Sequence, residues 1–133
     1  MPNVWLFQFD PKQAPSYTPR VGQVDEWAVS RYRLEIAPGD TALLWRAGDD
    51  GGLAALGAIA SASAYKDVPA QPDKKFWLTI RCTHIFAHIF RRNEVKHLPA
   101  LHYMQIISIP FAQNAFAVTA MEWEEIKERL HIP

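Results

Sequence analysis

Residues Pro38 to Ala60 impose a β-hairpin, and the rest of the chain has to dock on it. Two apolar runs of strand length flank a turn of Gly48, Asp49, Asp50, Gly51 and Gly52, while Pro38-Gly39-Asp40 punctuates the leading edge. The first run carries Trp45 followed at once by Arg46. On a strand these two side chains point to opposite faces. One of them therefore faces away from the core, or sits where the core opens into a pocket.

The flanking segments supply more strands than helices. Val4-Trp5-Leu6-Phe7-Gln8-Phe9 is a β-rich run closed by Asp10-Pro11, because the residue before a proline is held extended and proline cannot donate. Pro11 to Gly22 reads as a loop, since its prolines forbid a useful helix. Asp25 to Ile36 is open to two readings, a short helix capped by Asp25 or an extended turn weakened as a helix by Val29. Ser61 to Lys75 is a small, polar loop of a length that more often serves function than decoration. Phe76 to Phe86 alternates Phe76, Leu78, Ile80 and Cys82 with Trp77, Thr79, Arg81 and Thr83, a half-buried strand whose register slips at Ile85-Phe86, as a bulge would make it. Arg91 to Pro99 is a charged connection, and Leu101 to Ile109 is a strand or a mixed segment. The end is the most explicit: Thr119 caps a helix, Glu122 completes a capping box, and the helix runs to about Leu130 with Trp123, Ile126 and Leu130 as its buried stripe. Many short strands with few short helices predict a small barrel with helices on its periphery.

Composition narrows the function classes. At 133 residues the chain is one domain's worth, 12% of it aromatic with five Trp, which predicts an ordered core. Formal net charge is zero, so a polyanion could be held only by a local patch and not by bulk electrostatics. One cysteine, Cys82, leaves no internal disulfide framework or multi-cysteine zinc site and fits a reducing compartment. No apolar run reaches the ~18 residues of a membrane span, and the opening residues lack the basic region of a signal peptide. The expectation is a soluble, cytoplasmic protein without a membrane partner.

Chemistry-bearing residues are sparse. His84 and His88 are four apart, but Ile85 stands where a metalloprotease would carry its glutamate, so no metal is expected. Ser30 and Cys82 lack a nucleophile elbow, and the glycines of the hairpin are not followed by Lys-Ser/Thr and form no phosphate loop. No catalytic residue and no cofactor are expected. Among the tryptophans, Trp5, Trp77 and Trp123 read as core, whereas Trp27 and Trp45 can be read either as core or as the walls of a pocket that sandwiches a flat ligand. Arg31, Arg33, Arg46, Arg81, Arg91, Arg92 and Lys96 could form a basic face, and Arg31, Arg33, Arg91 and Arg92 are the phosphate-contact candidates; a solvated surface explains most of these charges too.

In order along the chain, Trp5-Leu6-Phe7-Gln8 with Asp10-Pro11-Lys12, Trp27-Ala28-Val29-Ser30-Arg31-Tyr32, Ile36-Ala37-Pro38-Gly39-Asp40, Leu44-Trp45-Arg46-Ala47-Gly48, Ala55-Leu56-Gly57, and Gln113-Asn114 before Phe116 and Thr119 to Trp123 resemble the EVE domain of the PUA-like superfamily. The resemblance spans nearly the whole chain and is weakest between Lys66 and Met104. It implies an α+β fold, a single domain over 1–133: a PUA-like β-barrel of five to six strands with peripheral helices, including a C-terminal helix near 119–130, related to YTH domains. It also implies a non-enzymatic reader that takes a flipped modified base of DNA or RNA into an aromatic pocket, with partner proteins from restriction or RNA-modification systems. Carried over by residue, Trp27 and Ser30 would line that pocket, as would Trp45 and Arg46, with Asp10 at the far wall and Gln113 near the rim. The opening Gln8-Phe9-Asp10 departs from the Lys-Ser-Glu of many relatives and resembles the branch tied to modification-dependent restriction. Two alternatives stand beside this: a hydrolase of modified nucleosides like PUA-like relatives of the ASCH type, for which Lys12, Asp10 and Asp40 are candidates, and a protein-interaction module.

Overall fold

The hairpin forms where its turn chemistry places it. In the computed structural model, which describes residues 3–12 and 17–132, β3 (Thr41–Arg46) pairs antiparallel with β4 (Gly52–Ile59). Gly51 and Gly52 are required there by close approach, because a Cβ on either would run into the backbone of Arg46 or of Phe90. β1 (Val4–Phe9) lies parallel to β3 on the other side, and β2 (Val24–Ala28) follows the first loop. A two-residue β5 (Ala64–Tyr65) and the long β6 (Phe76–Arg91) come next, then α1 (Arg92–His97), α2 (Gln105–Ser108), β7 (Phe116–Val118) and α3 (Ala120–Leu130). The sheet runs β2-β6-β4-β3-β1-β7, with β5 attached to β6, and every pair except β1–β3 is antiparallel. This curled mixed sheet is the half-barrel with peripheral helices that the α+β reading expects.

Several boundaries move. The ambiguous segment after Asp25 is strand β2 followed by a turn over 31–35, where Tyr32 takes the left-handed conformation at φ 62°. The charged connection holds α1, and the apolar run after Leu101 holds the short α2 in place of a strand. Of the loop expected from Pro11 to Gly22, positions 13–16 lie outside the described residues. β6 is 16 residues, about five longer than the alternating run. Straight, it would reach about 50 Å, beyond the roughly 35–40 Å breadth implied for this chain length by a radius of gyration near 14 Å. It bends instead, and its pairing with β4 slips at Leu53/Ala55 and again at Leu56/Gly57.

Both faces of β1 and β3 are buried, which is why these two strands read as unbroken apolar runs. Alternation sends Val4, Leu6, Leu43 and Trp45 to one core, shared with Phe116 and with Val95, Ile106 and Ile126 of the helices. Trp5, Phe7, Ala42 and Leu44 go to the other, inside the curl, with Trp27, Leu78 and Ile80. Trp123 and Leu130 pack on the first core. The capping box is made as expected: Glu122 N donates to Thr119 Oγ1 at 3.2 Å and Thr119 N donates to Glu122 Oε1 at 2.9 Å.

Two polar residues lock this arrangement. Asp40, 5% exposed, accepts from Trp5 Nε1 at 2.9 Å, from Ala37 N at 3.0 Å and from Asn3 N at 3.1 Å, tying the hairpin's leading turn to β1. Asn114 joins β1 to the exit of β2. Its side chain exchanges hydrogen bonds with the backbone of Gln8 on β1, at 2.7 and 3.0 Å, while its carbonyl accepts from Ser30 N and Arg31 N at the exit of β2. Asp40→Ala strands the Trp5 indole N–H and the Ala37 amide, each costing about 1–3 kcal/mol. Urea unfolding of that variant should show a loss of at least ~2 kcal/mol, with a native-like circular dichroism spectrum below the transition.

Candidate nucleic-acid interface

Beside the Asn114 clasp the curl opens into a cleft of about 780 Å³, within the range of ligand-binding clefts. Three strand ends and two loops build most of it. The end of β1 contributes Gln8, Phe9 and Asp10, and the end of β2 contributes Trp27 through Ser30. The start of β6 contributes Phe76 and Trp77, the loop before it Lys74 and Lys75, and the connection before β7 contributes Ala112, Gln113 and Asn114. That long polar loop after the hairpin therefore ends in the cleft wall.

Four of the residues singled out in the sequence meet here: Asp10, Trp27, Ser30 and Gln113. Ser30 Oγ donates to Gln113 Oε1 at 2.9 Å, bridging the β2 exit to the rim. Asp10 Oδ1 accepts from Lys12 N at 2.9 Å. Trp27 is 8% exposed and sits edge-on to Phe7, Phe9 and Tyr17, with centroids 5.9, 6.3 and 5.5 Å away. Its ring is mostly covered, so it supports the cleft floor more than it offers a free face.

Trp45 and Arg46 do not line the cleft. Trp45, 3% exposed, shares the face of Leu43 and lies in the helix-side core, because alternation along β3 sends Ala42 and Leu44, not Trp45, into the curl. Arg46 is exposed at the strand end, and only its neighbour Ala47 reaches the cleft.

The four arginines proposed for phosphate are dispersed. Arg31 turns inward. Its Nη2 donates to Gln105 Oε1 at 3.2 Å and to Tyr32 Oη at 3.3 Å, and its guanidinium lies over the rings of Tyr32 and Phe116. Arg33 lies flat on Phe76, 3.9 Å from the centroid. Arg91 and Arg92 stand at the opposite end of β6 from Phe76, and Arg91 Nη1 donates to Asp50 O at 3.0 Å. None of the four lines the cleft.

Trp77 lies in the cleft wall and is only half-buried, where the sequence reading put it in the core. Its indole Nε1 is nevertheless buried and has no hydrogen-bond partner among the described residues. The signal was present in the alternation, which placed Trp77 on the polar face with Thr79 and Arg81. Phe9, Tyr17, Phe76, Lys74 and Lys75 are further cleft residues that sequence reasoning missed, since nothing local marks a strand end as a pocket wall. Of the hydrolase candidates, Asp10 lines the cleft, Lys12 does not, and Asp40 is sealed behind three donors; Cys82 is buried, with burial pushing its thiol up and away from the thiolate form.

Burial first, then the Asp25 carboxylate and the Cys82 sulfur, push the Tyr17 phenol well above its ordinary range. Unfolded, Tyr17 loses its proton near pH ~10, while the folded protein keeps it. The unfolded state then binds fewer protons, so stability is full below that pH and falls as pH rises through it. Thermal melts at about pH 8 and about pH 11 should show a smaller alkaline loss for Tyr17→Phe than for the wild type; an equal loss would contradict the assignment. Trp45→Ala, a truncation in the core, should cost about 3–5 kcal/mol of unfolding free energy, measured by urea titration.

The family model described as EVE domain matches residues 3–129. No curated protein matches the chain in sequence. Among solved structures, Rpa0253 from Rhodopseudomonas palustris is similar with a TM-score of 0.78 at 18% identity, over 98% of this chain and 94% of that one. Human THYN1 in complex with 5-methylcytosine-containing DNA is similar at 0.74 and 12% identity, over 98% and 99%. The YTH domain of Zygosaccharomyces rouxii MRB1 in complex with N6-methyladenosine RNA is similar at 0.59 and 10% identity, over 99% and 86%.

Proposed function

The chain belongs to the EVE domain family, and from that premise we propose that its cleft binds a modified nucleobase extruded from a nucleic acid. The observation that carries the reading is the pair of half-buried aromatics, Phe76 and Trp77, in the wall of a cleft of about 780 Å³ that also holds Asp10 and Gln113. Similar folds bound to methylated DNA and to methylated RNA support the same class of ligand.

The remaining chemistry fits a flat heterocycle. Phe76 and Trp77 are half-buried aromatics in the wall, and stacking on such rings is worth about 1–3 kcal/mol per base without any net charge. Asp10 offers a carboxylate to an exocyclic amine, and Gln113 offers an amide at the rim. Lys74 and Lys75 replace the dispersed arginines as the phosphate contacts. A base methyl in apolar contact adds selectivity of about 0.8 kcal/mol per buried carbon, roughly fourfold in affinity. We read the cleft as a binding site, in keeping with the similar folds bound to methylated DNA and to methylated RNA.

The test is a binding panel of oligonucleotides carrying 5-methylcytosine, 5-hydroxymethylcytosine or N6-methyladenine against unmodified strands. The wild type should prefer at least one modified strand by about threefold or more. Trp77→Ala removes a stacking face from the wall and should weaken that binding about five- to 150-fold, with a native-like circular dichroism spectrum. Equal affinity for modified and unmodified strands would overturn the reading.

A further inference from the structure

We propose that Phe111 is a wedge that enters the base stack of double-stranded DNA when the cleft takes up a base. This rests on the reading of the cleft just given and names the form of nucleic acid it acts on. Phe111 is 87% exposed. Single exposed apolar residues are ordinary on protein surfaces, so its exposure alone means little. Its setting distinguishes it. The next three residues, Ala112 to Asn114, form part of the cleft wall. Two residues span at most ~7 Å of backbone, so Phe111 is carried on the same short stretch of chain as the rim residue Gln113.

The segment is also held on both sides of Phe111. Before it, Gln8 Nε2 donates to Pro110 O at 3.1 Å and Ile109 N donates to Gln105 O at 2.8 Å. After it, Ala112 N donates to Ile109 O at 3.0 Å, Gln113 receives the Ser30 hydroxyl, and Asn114 is clasped to β1. Ile109 and Ala112 pack against the helix-side core. The loop therefore turns its neighbouring apolar side chains inward and presents Phe111 outward, from a backbone anchored at both shoulders.

An aromatic in that position answers a specific need. Removing a base from a duplex leaves an unstacked gap, and proteins that deform DNA fill such gaps with Phe, Leu, Ile, Met or Pro. Sequence-specific RNA recognition targets single strands whose bases are already splayed out. No plug is needed there, so the wedge points to duplex DNA. The same cleft supplies the acceptor for the extruded base, which places wedge and pocket on one short stretch of chain.

The experiment measures affinity by fluorescence anisotropy for a duplex DNA carrying the preferred modified base and for the matching modified single strand, with wild type and Phe111→Ala. The variant should lose about five- to 150-fold on the duplex and stay within about twofold on the single strand, and Phe111→Trp should restore duplex binding. Because the side chain is exposed, the melting temperature should not change. No loss on the duplex, or an equal loss on both strands, would overturn the wedge while leaving the cleft reading intact. Preference for single strands or RNA with no duplex binding would overturn it as well. A wild type blind to modification would overturn the cleft reading and the wedge together.

Discussion

Asn114 holds β1 and the exit of β2 at once. In a sheet ordered β2-β6-β4-β3-β1-β7 these two strands are not neighbours, and strand pairing does not join them directly. The clasp does so: the side chain occupies the Gln8 peptide groups of β1, and the carbonyl occupies two amides at the exit of β2. Each of these backbone groups would otherwise need water or another partner. The cleft lies alongside this clasp, and Ala112 and Gln113 belong to its wall because Asn114 fixes where the connection before β7 must pass. Closure and binding surface share one side chain.

The second organising fact is that apolar cores lie on both sides of β1 and β3, so a strand residue's fate is decided by which face it takes. Trp27 and Trp45 are equally plausible pocket residues in sequence, yet one lies inside the curl and the other under the helices. Trp45 shares the parity of Leu43 along β3. Trp77 shows the converse. Its parity is that of the polar residues of β6, and at the strand's first turn of pairing, where the sheet opens, that face becomes a cleft wall.

Charge plays a local part. The chain is neutral overall, and the cleft mixes Asp10, Asp25, Glu26 and Asp73 with Lys74 and Lys75. Long-range steering of a polyanion is therefore weak, and exposed charges further apart than about 8–10 Å are screened at physiological salt. The contacts this lining offers are aromatic faces, hydrogen-bonding groups in a partly dry cleft, and two lysines. The inward turn of Arg31 fits that economy: its guanidinium is used to fasten the 31–35 turn to Gln105 and Phe116.

By itself, the sequence determined the local elements whose causes are local. The hairpin followed from a glycine-rich turn between apolar runs, the C-terminal helix from Thr119 and Glu122, and β1 from six residues closed by Pro11. The ordered motifs also identified the family, and with it the barrel. Only the tertiary structure decided which strand ends face one another across the curl. That choice brought Asp10, Trp27, Ser30 and Gln113 together from three distant segments, added Phe76 and Trp77, and excluded Trp45 and the arginines. The physical reason is that period-2 alternation tells which residues share a face but not what that face meets. That partner is set by the bends of β6 and the Asn114 clasp, contacts between residues far apart in the chain.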